Sequence, residues 1–200
     1  MRYIIHLLPD EEQRRAYDDA RARLAAEIGH NRALEYPTAH ITLIWAIQDT
    51  PDDPAPIAQE ALLATLEQWR GTGAIPLTVR EPVDTREHLL LPLTDTPALA
   101  SLRHELYLAA QGVAAGPTGD RAGRAEQVRE QTWPHLTLAQ EIDAERWERG
   151  MALLKDDGAL LRAPLYCNEL ALVARDIDAG EPYRIVGRVP LGDEQERAQQ

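Results

Sequence analysis

Two short segments of this sequence place a histidine and a threonine two residues apart, with apolar residues in the other two positions. They are His40–Leu43 (HITL) and His135–Leu138 (HLTL). Such alternation is typical of a half-buried strand, so the histidine and the threonine of each segment share one face. Histidine titrates near neutral pH and can give or take a proton. If the segments face each other across a cleft, they supply an acid, a base and two hydroxyls for displacement at one phosphorus.

The strand alternation predicts which neighbours face the cleft and which face a core. In the first segment we expect Thr38, His40 and Thr42 to face the cleft and Ile41, Leu43 and Trp45 to face the core. In the second, Trp133, His135 and Thr137 are expected at the cleft, and Leu136 and Leu138 in the core. The alternative interpretation is that both histidines are polar-face residues of two exposed strands.

Composition narrows the class of protein. The chain has 200 residues, 44% of them hydrophobic, which is enough for a sizeable core. No apolar run is long enough to span a membrane, and the apolar run near the start looks too short, and its flank too acidic, for a signal peptide. We therefore expect a cytoplasmic protein without a membrane partner. The net charge of −12 argues against an extended surface that binds a long polyanion such as RNA. Cys167 is the only cysteine and is expected to be a small core residue.

Strands and helices alternate in two similar halves. The patterns predict strands at 3–8, 39–47, 75–80, 88–93, 133–140, 160–167, 169–174 and 183–191, and helices at 11–28, 57–69, 97–111 and 144–155. Residues 112–132 have no apolar face and are predicted to form a flexible loop, either a lid or a plain linker. We therefore expect one bilobed α+β domain over 1–200, in which two antiparallel sheets flank a central cleft and helices lie outside.

The paired motifs resemble those of the two-histidine (2H) phosphoesterase superfamily, and within it the 2′-5′ RNA ligase-like RNA 2′,3′-cyclic phosphodiesterases. Arg2–Ile5 resembles the opening strand of that family, Pro134–Ala139 its second motif, and Glu169–Val173 with Tyr183–Leu191 its closing strands. The sequence departs from the family twice. Gln140 stands where members commonly have arginine, and residues 44–48 replace a Phe-Leu-Gly-like turn.

The resemblance implies a metal-free enzyme that hydrolyses 2′,3′-cyclic phosphates to 2′-phosphates, with reversible 2′-5′ RNA ligase activity as a further implied reaction. It assigns His40 as acid and His135 as base, with Thr42 and Thr137 binding the non-bridging oxygens. No cofactor is expected, and no metal site, because the His-x-Thr spacing lacks the ligand pattern of common zinc sites. The expected partners are RNA 3′ ends or small cyclic nucleotides, and the expected state is a monomer.

Further residues have weaker claims on the site. Strand alternation places Tyr36 on the same face as His40, and Trp133 on the same face as His135, so both are candidates to stack on a base. The alternative is that they only pack at the rim of the cleft. His6 is expected to be a core or edge residue, and His30, His88 and His104 surface residues. Two other functions stay open: a 2H enzyme acting on an ADP-ribose cyclic phosphate or on 2′-5′ or 3′-5′ oligonucleotides, and a non-catalytic nucleotide-binding module.

Overall fold

Nine strands and five α-helices form the part of the chain that the computed structural model describes, namely residues 1–29, 31–49, 56–85, 87–116, 119, 122–156, 160 and 164–192. The strands are β1 (Arg2–Pro9), β2 (Ile41–Gln48), β3 (Ile75–Thr78), β4 (Val83–Asp84), β5 (His88–Pro92), β6 (Arg129–Glu130), β7 (His135–Gln140), β8 (Pro164–Arg175) and β9 (Arg184–Pro190). The helices are α1 (Glu11–Ile28), α2 (Gln59–Leu66), α3 (Pro97–Ala115), α4 (Ala122–Ala125) and α5 (Ala144–Asp156). Short 3₁₀ turns cover Arg32–Glu35 and Glu67–Trp69.

The long helices begin and end where local chemistry dictates. The carboxylate of Asp10 accepts a hydrogen bond from the backbone N–H of Gln13 and caps α1, which ends at Gly29 with φ +83°. The hydroxyl of Thr96 accepts from the N–H of Leu99 and caps α3, which has Pro97 in its first turn. These caps explain why the sequence predicted where both helices begin and where α1 ends.

The strands join in the order β3-β8-β1-β2-β7-β5-β4, and every pair is antiparallel; β6 also pairs with β2, and β9 with β8. The predicted α+β class is confirmed. The two halves, which were expected as separate sheets, are joined at a single residue pair, Ile41 with Leu136. Beyond this pair the two motif strands take different partners, because β2 pairs with β1 and β6 while β7 pairs with β5. The strands therefore diverge and leave space between the halves.

The joining pair also reveals a local symmetry. Ile41 and Leu136 are the second residues of the two motifs, and they pair in antiparallel register. An antiparallel pair of equivalent positions lies on an approximate twofold axis. The two histidines are therefore presented to the same space by equivalent backbone geometry.

The two faces of β1 have different neighbours. Tyr3, Ile5 and Leu7 belong to the main core, while Ile4 and Leu8 belong to a smaller apolar cluster on the opposite face with Tyr183. That second face is the one that leads to the cleft.

Three segments differ from the sequence predictions. The segment 112–132 was predicted to be a loop, but α3 continues to Ala115, α4 follows, and β6 pairs with β2. Residues 117–118 and 120–121 of that segment lie outside the described residues. The strand predicted at 160–167 begins at Pro164 and continues without a break through the one predicted at 169–174, which makes a single strand, β8. Residues 161–163 lie outside the described residues. The predicted helix at 57–69 is divided into α2 and a 3₁₀ turn.

Cys167 lies on β8 in the core, as expected. Burial raises the pKa of its thiol, which therefore stays protonated. Within the described ranges, no helix has the length and apolar character needed to cross a membrane.

Candidate active site

All four motif side chains line one cavity of about 150 Å³. It is bounded by His40, Thr42, His135 and Thr137 together with Ile4, Ala33, Tyr36, Trp45, Gln131 and Gln140. The motif residues are half-buried, so they remain accessible from the cleft. Pockets that enclose a whole ligand are usually about 300–1,000 Å³. This one suits a phosphate group, with the rest of a nucleotide lying across its mouth.

Both motif histidines make the same hydrogen bond to their own backbone. Nδ1 of His40 lies 2.8 Å from the carbonyl oxygen of Thr38, and Nδ1 of His135 lies 2.9 Å from that of Trp133. A carbonyl only accepts, so each Nδ1 carries a hydrogen and donates it. In the neutral form Nε2 is then an unprotonated acceptor, and in the cationic form it is a donor. This tautomer gives each ring the nitrogen that a general acid or base needs.

An ion pair on α1, between the buried Arg21 and the partly exposed Asp18, holds the segment that leads to His40. The guanidinium of Arg21 donates to a carboxylate oxygen of Asp18 at 2.7 Å and to the carbonyl oxygens of Ala33 and Tyr36. Asp18 in turn accepts from the hydroxyl of Thr38 and from the backbone N–H of Ala39. Because Thr38 provides the carbonyl for His40, this network fixes the backbone group to which the His40 ring is hydrogen-bonded.

The expectation that Thr38 faces the cleft is wrong. Its side chain is buried and its hydroxyl donates to Asp18. The physical reason is that β2 begins only at Ile41, so the strand alternation does not extend back to this residue.

The expectation that Trp45 faces the core is also wrong. Its side chain is 49% exposed and lines the cavity. The pairing of Tyr3 with Ile47, Ile5 with Ile44 and His6 with Thr42 inserts extra residues in β2 at two places. A bulge of this kind reverses the alternation beyond it, so Ile44 and Ile47 become fully buried and Trp45 turns to the cleft.

The two aromatic candidates occupy different places. Tyr36 lines the cavity, its ring centroid lies 4.8 Å from that of His40, and it stacks on Tyr183 at 4.4 Å. Trp133 lies outside the group of cavity-lining residues named above. Its side chain is exposed, and its ring centroid lies 5.0 Å from that of His135.

Two further histidines lie closer to the site than the sequence indicated. His6 is buried as expected, but its ring stacks on that of His40. His88, expected at the surface, is half-buried opposite Gln140, and its ring is close enough for its charge to lower the pKa of His135. The signal for both lies in strand register, which a single sequence does not give. His104 is exposed, as expected, and His30 lies outside the described residues.

Burial lowers the pKa of both motif histidines. For His40 it lowers the pKa to about 4; the hydrogen bond to the Thr38 carbonyl works in the opposite direction, and the Arg21 guanidinium adds to the lowering. The pKa of His135 is also lowered, but less, by burial. Both rings are therefore mainly neutral at pH 7.

The cavity has no fixed positive charge in the part of the chain that is described. Its lining contains neither lysine nor arginine, and Gln131 and Gln140 supply neutral amides instead. An anion bound there is met by the two imidazoles, two hydroxyls and two amides. Among the described residues no group of three or more His, Cys, Asp or Glu side chains is arranged to hold a metal ion.

Comparison with known proteins now assigns the family. The profile of the 2′-5′ RNA ligase superfamily matches residues 8–179, which include both motifs. This chain belongs to the 2′-5′ RNA ligase superfamily. The predicted relationship to 2H phosphoesterases is confirmed. No curated protein sequence matches the chain.

Solved structures with this fold cover nearly the whole molecule. TT0787 of Thermus thermophilus has 17% identity and a TM-score of 0.54, over 97% of this chain and 100% of that one. E. coli LigT in its apo form has 18% identity and a TM-score of 0.54, over 96% of this chain and 98% of LigT. LigT complexed with 3′-AMP has 18% identity and a TM-score of 0.51, with the same coverage. At such low identity the comparison shows a common fold.

Proposed function

We propose that this protein is a metal-independent phosphodiesterase that opens 2′,3′-cyclic phosphates, at RNA 3′ ends or in small nucleotides, to give 2′-phosphates. The observation that carries the proposal is the convergence of both His-x-Thr motifs on one phosphate-sized cavity, with each Nδ1 hydrogen-bonded to a backbone carbonyl. The 3′-AMP bound to LigT supports a nucleotide as ligand for a protein of this fold. Residues 1–200 are proposed to act as one catalytic domain.

The chemistry needs one proton acceptor and one proton donor on opposite sides of the phosphorus. One neutral imidazole takes a proton from water through Nε2 while the water oxygen bonds to phosphorus. The bond from phosphorus to the ribose 3′ oxygen breaks, and the other imidazole, as its cation, gives that oxygen a proton from Nε2. Thr42 and Thr137 donate hydrogen bonds to the non-bridging oxygens as their charge increases.

The environments of the two rings favour His40 as the base and His135 as the acid, the reverse of the order that the family resemblance implies. His40 has the lower pKa and is more completely unprotonated near neutral pH. A bound phosphate raises the pKa of both rings, and His135 then reaches its cationic form first. A 2′-phosphate product requires the 3′ oxygen of the substrate to face His135.

Trp45, Tyr36 and Trp133 are the proposed contacts for the base. Trp45 and Trp133 are exposed, and Trp45 and Tyr36 line the cavity. Stacking on such rings accepts any base. We therefore expect weak discrimination among the four bases.

A substrate panel separates this function from the alternatives. We expect turnover of 2′,3′-cyclic mononucleotides and of an RNA with a cyclic phosphate end, with a 2′-phosphate product identified by ³¹P NMR. Turnover only of an ADP-ribose cyclic phosphate, or only of linear 2′-5′ or 3′-5′ oligonucleotides, would assign another activity within the superfamily. Binding of a nucleotide without turnover of any compound would indicate the non-catalytic module.

The described cavity lining has no lysine or arginine, and this predicts how activity depends on salt concentration and on the length of the RNA substrate. For single strands, log K falls with log salt at a slope of about −0.7 per phosphate contacted. With a net charge of −12 and no lysine or arginine in the described lining, we expect a shallow slope. The measurement is kcat/KM for a cyclic-ended dinucleotide and a cyclic-ended twenty-mer across a salt series, and the two substrates should behave alike.

The matched variant for this prediction is Gln140→Arg. It places one guanidinium beside the phosphate and should steepen the slope by about 0.7 for both substrates. A steep slope and a strong preference for the twenty-mer in the unmodified protein would contradict a site that recognises only the terminal nucleotides.

The monomeric state and the cytoplasmic location stay predictions.

A further inference from the structure

His6 lies directly behind one of the two motif histidines. It pairs across β1 and β2 with Thr42, two residues from His40 along the chain. The two ring centroids are 3.7 Å apart and the planes differ by 7°. His6 is 1% exposed and is not among the residues that line the cavity, so it contacts His40 and not the space for the substrate.

Burial alone does not account for a histidine at this position. On either side along the strand, Ile4 and Leu8 belong to the same apolar cluster. Nε2 of His6 has no hydrogen-bond partner among the described residues, and burying such a nitrogen costs stability. Burial also lowers the pKa of His6 well below its ordinary value, so the ring is neutral. An aliphatic side chain would fill this space without leaving a polar atom unpaired.

The flat ring provides what an aliphatic side chain does not. The hydrogen bond from Nδ1 of His40 to the Thr38 carbonyl fixes one point of the ring. A single such bond leaves the ring free to tilt about it, whereas a parallel ring behind it fixes the plane. We propose that His6 is a positioning residue for His40, whose stacked ring fixes the plane of the His40 imidazole and so holds Nε2 of His40 in the cavity.

The kinetic test rests on the proposed phosphodiesterase function. His6→Leu should lower kcat for a 2′,3′-cyclic nucleotide by about tenfold or more, because a small misplacement of a reacting group is costly. KM should stay within about twofold, because His6 does not reach the cavity. His6→Phe retains a flat ring and should recover most of kcat.

Leu8→Ala is the matched control, since it shortens a buried side chain on the same strand, two residues from His6. It should lower thermal stability and leave kcat unchanged. Circular dichroism and thermal unfolding confirm that each variant is folded. A folded His6→Leu variant with unmodified kcat, or a Leu8→Ala variant with an equal loss of kcat, would overturn the positioning role.

A spectroscopic test does not depend on the substrate. The ring ¹H and ¹³C signals of His40 should be single and sharp in the unmodified protein and in His6→Phe, because the ring has one orientation. In His6→Leu they should broaden or divide as the ring tilts about its hydrogen bond to the Thr38 carbonyl. Single, sharp His40 ring signals in a folded His6→Leu variant would contradict the proposal, even if the protein acts on a substrate other than a cyclic phosphate.

Discussion

Replacing either His40 or His135 by alanine will lower kcat for the hydrolysis of a 2′,3′-cyclic nucleotide by at least about 10²-fold, the usual effect of removing a general acid or base. The double variant will be scarcely slower than the slower single variant, because two groups that act in one transition state do not contribute additively. Both histidines line one cavity, and each uses Nδ1 to bind a backbone carbonyl and so keeps Nε2 for the reaction, which is why the losses are coupled. Steady-state kinetics on the three variants measures this.

His104→Ala is the control for these variants. That histidine is 61% exposed and takes no part in the cavity lining, so its removal should leave kcat unchanged. Thr42→Ala and Thr137→Ala should cost less than the histidine variants, since a hydroxyl holds the phosphate but transfers no proton in the proposed reaction. A folded His40→Ala or His135→Ala protein with near-normal turnover would refute the assignment of the pair.

A substrate with a better leaving group will separate the two roles. A p-nitrophenyl phosphodiester releases a stabilised phenolate that needs no protonation, so the acid becomes dispensable and the base does not. With His135 as the acid, His135→Ala should retain activity on this substrate to within about tenfold of the unmodified protein, whereas His40→Ala should remain at least about 10²-fold slower. The comparison is the ratio of kcat/KM for the two variants on the p-nitrophenyl and the cyclic substrates.

The opposite pattern would show that His40 is the acid, as in the order implied by the family resemblance. Equal losses on both substrates would show that leaving-group protonation does not limit the rate. The structural reason for our order is the deeper position of His40, stacked on His6 and close to Arg21, which lowers its pKa to about 4.

The sequence predicted the parts of the site that local patterns specify. A strand alternates with period two, so each histidine could be placed beside its threonine without a structure. The repeat then indicated a shared cleft, and the cavity contains all four side chains. The ends of helices α1 and α3 that have caps were equally predictable from the sequence, because Asp10, Gly29 and Thr96 act on their immediate neighbours.

Features that depend on pairing between distant strands were missed. Trp45 was placed in the core because nothing in its own segment shows the bulges in β2, which exist only relative to β1. His6 lies next to His40 for the same reason, since its position follows from its register with Thr42. Register of this kind is set by the whole sheet and cannot be derived from one strand.

The hydrogen-bond network of Asp18 and Arg21, which holds Thr38, was not predicted for a different reason. Asp18 and Arg21 look like ordinary surface charges of a polar helix, yet Arg21 is 2% exposed and fixes the backbone of the next segment. Charged residues are rarely buried, so the sequence alone places both of them at the surface. Only the path of residues 31–39 over α1 shows why Arg21 is buried beside Asp18.

The measurement that tests the central claim most directly is the pH dependence of kcat/KM for 2′,3′-cyclic AMP in the presence of a chelator. If His40 is the base and His135 the acid, activity rises with pH as His40 loses its proton near pH 4 and falls as His135 loses its proton below its ordinary value of 6.5. We predict a bell-shaped curve with its maximum below pH 6.5, unaffected by the chelator. The absence of turnover, or activity that is lost in the chelator and restored by a divalent ion, would contradict a site in which two imidazoles carry the reaction.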